Sequence, residues 1–183
     1  MDRHGSAEYL VLRQTIATRG TIRPILAAAG LGIWAAVLIA VLVLLPYPVA
    51  ASIPLVFLAS VFEAIKLLHF GAERIGRYLQ VFYEEAGEPD RSLSDTPSWE
   101  RVATRFGAVP GVGGHPLFVP VFFIAAAINY LAVLLPAPVA VELGVMAIPH
   151  AAFGVWLLMS DRAMRRQRQN ELSRLRDLKS SAL

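Results

Sequence analysis

At 183 residues, 56% hydrophobic and with a mean hydropathy of +0.54, the chain is more apolar than a water-soluble domain of this length. Its net charge of +3 fits loops facing anionic lipid, not a nucleic-acid surface. The absence of cysteine excludes disulfides, thiolate ligands and a thiol nucleophile, so any metal or catalytic chemistry must use histidine, carboxylates or hydroxyls.

Residues 1–23 are mixed and charged. Ser6 is placed to cap a short helix in which Tyr9, Leu12 and Ile16 share a face, an arrangement suited to an interfacial anchor. The first apolar run, residues 24–45, is about 20 residues long, which is spanning length and exceeds a signal-peptide core. Pro24 suits its first turn. Ala28, Gly32, Ala36 and Ala40 recur every four residues, a row of small side chains that lets another helix approach closely.

Pro46-Tyr47-Pro48 predicts a tight turn, and residues 49–70 a second span. From Phe62 to Glu85 apolar sequence passes into polar sequence without a strong breaker, so the helix should continue to about Tyr83 as a long extension into water. At about 100° per residue, Glu63, Lys66, His69, Glu73 and Arg77 fall on one face. Glu63 lies roughly 10 Å inside the span, and a carboxylate there is a functional candidate by default. Lys66, at i+3, is its natural partner in a structural ion pair. His69 stands near the span boundary with Glu73 one turn on and Arg77 beyond it. With His115 at matching depth, His69 is a candidate ligand for a haem or a divalent metal.

Residues 87–95 form a polar break. Thr96-Pro97 then reads as an N-cap with proline at the first helical position, opening an amphipathic loop helix that carries Trp99, Val102 and Phe106. The stretch from Gly111 to Pro116 lacks the Gly-Lys-Ser/Thr ending of a phosphate loop and follows no predicted strand. Residues 117–135 give a third span, in which Asn129 and Tyr130 should bond across helices. Pro136-Ala137-Pro138 turns the chain into a fourth span, residues 139–160, interrupted by Pro149. His150 sits at a depth near that of Glu63, either bonded to a backbone carbonyl or forming a proton-exchanging pair with Glu63. Residues 162–179 are basic, with Leu172, Leu175 and Leu178 at helical spacing. They extend the fourth helix as a solvated face, with contact to anionic lipid or a protein partner as the alternative.

Leu44-Leu45-Pro46-Tyr47-Pro48-Val49-Ala50 returns as Leu134-Leu135-Pro136-Ala137-Pro138-Val139-Ala140, which suggests either a duplicated hairpin or two convergent turns. Of the 17 lysines and arginines, all but Lys66 fall before Pro24, between Gly71 and Gly114, or after Ser160. The positive-inside rule then places both termini and the central loop, residues 1–23, 71–116 and 161–183, in the cytoplasm.

The expected fold is an all-α integral membrane protein in one domain, with four transmembrane helices in two hairpins. The expected place is the inner (plasma) membrane, multi-pass. Neither a Gly-x-Ser-x-Gly elbow nor a His-Glu-x-x-His motif is present. The functional expectation is a non-enzymatic subunit without cofactors that forms a homo-oligomer or docks on a membrane-protein partner. A small proton-linked transporter using Glu63 is the second reading, and a haem or metal protein using His69 and His115 the third.

Overall fold

The computed structural model describes residues 3–45, 47–84 and 117–181, and all four long elements in them are helices. Helix α1 runs Arg3–Leu44, α2 Ser52–Leu79, α3 Val119–Ala132 and α4 Ala140–Ser181. A 3-10 turn, Pro48–Ala51, leads into α2, and a π-turn, Gln80–Glu84, ends it. Among the described residues three segments are long and apolar enough to cross a membrane: Ala7–Leu44, Pro48–Tyr83 and Ala140–Met164.

Several expectations are corrected. Ser6 lies inside α1 and not at its start, because the helix already begins at Arg3 and runs through Pro24. Thr15, Thr18 and Thr21 each turn their hydroxyl onto the carbonyl four residues back, which satisfies these β-branched polar residues within the helix. The third apolar helix is shorter than the expected 117–135. Its start is set by Phe118, whose positive φ of 52° is not helical. Its end tightens as Val133, Leu134 and Leu135 donate three residues back instead of four. With 14 residues α3 is about 21 Å long, short of a bilayer core. The two echoed turns also differ: Tyr47 is extended at φ −115°, whereas Ala137 is left-handed at φ 51°. The loop helix expected after Pro97 lies outside the described residues.

The continuity expected of α2 is found, since the helix passes Gly71 and Gly76 and the π-turn carries it to Glu84. Helix α4 likewise continues past the apolar sequence to Ser181, with Pro149 inside it.

The chain divides into two compact units. One, here the apolar unit, comprises Arg23–Leu67 and Leu117–Ala163. Its centre is Phe62, fully buried, whose ring meets Phe122, Phe153 and Trp156 edge-on at centroid distances of 5.3, 6.3 and 5.8 Å. Helix α1 contributes Ala27, Gly30, Trp34, Leu38 and Val41, spaced three and four apart on one buried stripe. Gly30 is required there: a Cβ would strike the side chain of Val61. The other, the polar unit, comprises Met1–Ile22, Leu68–Pro116 and Met164–Leu183. Its described parts combine ion pairs around the buried Arg77 with the fully buried Leu79 and Val81.

Candidate functional site

Within the apolar unit, Asn129 is completely buried and is the hub of a polar knot. Its carbonyl oxygen accepts from Trp34 Nε1 at 3.2 Å. Its amide nitrogen donates to the Ala51 carbonyl at 2.9 Å and to His150 Nε2 at 2.9 Å. His150 Nδ1 lies 2.7 Å from the Met146 carbonyl, which accepts only, so the bonding pattern assigns the proton to Nδ1 and leaves Nε2 as the acceptor. One side chain thus ties α1, the turn before α2, α3 and α4 together. Tyr130 packs on the His150 ring at 5.1 Å and donates to the Leu143 carbonyl at 3.3 Å. Between α3 and α4 lies an apolar groove of about 260 Å³, with Phe123, Ala127, Ala151 and Gly154 among its walls and the ring of His150 at its edge.

Glu63 and Lys66, also in the apolar unit, form the ion pair their spacing suggested, at 2.5 Å. The sequence did not show that Lys66 Nζ also sits 4.9 Å from the centroid of the Trp156 ring. The lysine is the more enclosed member: its side chain is 15% exposed against 36% for Glu63. His150 is bonded to Asn129 and Met146, while the carboxylate of Glu63 is held by Lys66.

In the polar unit, the remaining residues of the α2 face turn toward the end of α4. Arg77 is buried; its guanidinium reaches Glu73 at 2.9 Å and also binds Glu171, 94 residues away in sequence. Glu171 further accepts from Gln167 and from Arg74. Burial raises the Glu171 carboxyl, but the Gln167 hydrogen bond and the Arg77 and Arg74 charges outweigh it and hold the group below the ordinary glutamate value. His69 Nε2 lies 3.1 Å from Met164 Sδ and 3.5 Å from Glu73. Lys179 donates to the Val81 carbonyl at 2.6 Å, a group of the π-turn, where the regular ladder of backbone bonds is interrupted. Glu8 of α1 receives the hydroxyls of Tyr78 and Tyr83.

No family model, curated protein or solved structure matches the chain.

The candidate residues therefore divide. Glu63 with Lys66, and Glu73 with Arg77, are brought together. His115 lies outside the described residues, so its pairing with His69 has no geometry here. Among the described residues no three histidine or carboxylate side chains converge as a metal set. Ala28, Gly32, Ala36 and Ala40 are all exposed, on the side of α1 opposite its buried stripe, and nothing lies within 4 Å of a Cβ built at Gly32. Among the described residues the small-residue row is thus not a packing face. Sequence reasoning missed Trp34, Trp156, Met164 and Glu171. For Glu171 a signal existed, since it is a carboxylate in a basic helix, but its partner is distant in sequence.

Proposed function

We propose that the protein is a non-enzymatic integral membrane subunit that docks on a larger membrane assembly or on further copies of itself through the helical extensions of its polar unit. In this reading α3 acts as a short fourth span, the four helices form two hairpins, and both termini and the central loop are cytoplasmic. The protein belongs, in this proposal, to the inner (plasma) membrane. The one-sided placement of lysine and arginine supports the orientation.

The observation that carries the docking reading is the contrast within the polar unit. Arg77, Glu73, Glu171 and Arg74 are spent on one another, yet Leu10 and Val11 on α1 stand 66% and 62% exposed. Adjacent uncovered apolar side chains beside a paired charge network suit a protein partner. Affinity purification from mild detergent tests it. A stoichiometric partner or a defined oligomer should co-purify with the wild type and be lost in Leu10→Asp/Val11→Asp. A monomer with no partner, in detergent and after reconstitution alike, would overturn the proposal.

A further inference from the structure

Three donor atoms of unlike chemistry meet within the polar unit. His69 and Glu73 stand one turn apart on α2, Met164 is on α4, and all three belong to that unit. His69 is buried, and its Nε2 lies 3.1 Å from Met164 Sδ and 3.5 Å from Glu73 Oε1. A thioether is a weak hydrogen-bond acceptor, and 3.5 Å is longer than an ordinary N–H···O bond. Neither neighbour is therefore a good proton partner for a buried imidazole nitrogen. As ligands the same atoms are well matched. Glu73 is already aimed: its Oε2 is held at 2.9 Å by Arg77, itself buried and bound to Glu171, which leaves Oε1 turned to His69.

We propose that His69 Nε2, Met164 Sδ and Glu73 Oε1 form a binding site for one soft monovalent cation, Cu(I). Imidazole suits copper, and a thioether selects its monovalent state. Zinc is held by thiolate, imidazole and carboxylate, and calcium and magnesium by oxygen, so the thioether decides among them. Nitrogen and sulfur bound to one three-coordinate ion at about 2.0 and 2.3 Å stand about 3.7 Å apart. Met164, unbranched and with three rotatable bonds, can open the gap from 3.1 Å to that spacing. Met164 and Glu73 are both half-buried, which gives an ion a way in that His69 alone does not offer. The site uses one histidine and does not require His115.

Titration of the full chain in detergent with Cu(I), kept reduced by ascorbate and competed against a chromogenic Cu(I) chelator, tests the site. One Cu(I) should bind per chain, and X-ray absorption at the copper edge should show sulfur among its ligands. Losing only an outer partner costs a metal site about 10–100-fold, so losing a ligand atom should cost at least about tenfold. Met164→Leu, which conserves apolar volume, should therefore weaken binding by that much and remove the sulfur signal, with an unchanged circular dichroism spectrum. Met159→Leu, at an exposed methionine of the apolar unit, should change neither. Failure to bind Cu(I), equal affinity in Met164→Leu, a copper shell of nitrogen and oxygen alone in the wild type, or retention of Zn(II) in preference to Cu(I) would overturn the assignment.

Discussion

Asn129 donates its side-chain amide to His150 Nε2 across 2.9 Å, and this bond has one consistent proton arrangement. His150 Nδ1 carries the hydrogen that goes to the Met146 carbonyl, so Nε2 must accept. In the proposed membrane setting lipid offers no hydrophobic drive for helix association, so packing and a few interhelical hydrogen bonds must hold the helices together. Asn129→Ala should therefore cost about 3 kcal/mol, because Trp34 Nε1, the Ala51 carbonyl and His150 Nε2 each lose their bond to it at once. Trp34→Phe, which removes one donor and keeps the ring shape, should cost about 1 kcal/mol. Thermal unfolding in detergent ranks the two, and equal losses would contradict the hub role.

The Glu63–Lys66 pair should respond asymmetrically. Glu63→Gln leaves Lys66 over the Trp156 ring, while Lys66→Met strands the carboxylate in a low-dielectric place. Lys66→Met should therefore be the more destabilising change, and the double variant Glu63→Gln/Lys66→Met should recover much of its loss. Melting temperatures of the three variants form the cycle. Strict additivity would mean that the pair contributes nothing as a pair.

Acid should act on the polar unit late. The folded-state value of Glu171 lies below the ordinary one, so its ionised form favours folding at every pH above the unfolded value. That contribution is lost only as pH falls through the depressed folded value. Wild-type stability should hold down to the ordinary carboxylate range and drop beneath it. Glu171→Gln should lower the melting temperature at neutral pH and blunt the acid drop. Arg77→Met, which leaves two carboxylates facing each other without their shared cation, should cost about 3 kcal/mol.

Two glycines make opposite predictions for alanine. At Gly30 the added methyl meets the branched, stiff side chain of Val61, so Gly30→Ala should cost about 1–3 kcal/mol. At Gly71 it meets only the guanidinium end of Arg19, which can swing aside. Gly71→Ala should then be neutral or gain up to about 1 kcal/mol from helix propensity. Helicity and melting of the two variants separate a packing glycine from a tolerated one.

Orientation is checked by labelling. Ser6→Cys, Ser92→Cys and Ser181→Cys should react with an impermeant thiol reagent only after the membrane is opened, and Tyr47→Cys on intact cells. Reaction of Ser92→Cys from outside would refute the proposed topology.

The sequence by itself determined what short range decides. The helical class, the turns near the paired prolines, the run of α2 through Gly71 and the Glu63–Lys66 pair all follow from periodicity and spacing within a turn or two of one helix. The face of α1 that packs was not legible. The helix is apolar nearly all round over its span, so Ala28, Gly32, Ala36 and Ala40 look as suited to an interface as Ala27, Gly30, Trp34, Leu38 and Val41. The approach of Val61 to Gly30 and the bond from Trp34 to Asn129 distinguished them. The tertiary structure likewise chose Asn129 as hub, gave His150 to it, and brought Glu171 to Arg77. A buried polar group must find some partner, but its choice among groups many turns away in sequence is made by helix packing, which leaves no periodic trace along the chain.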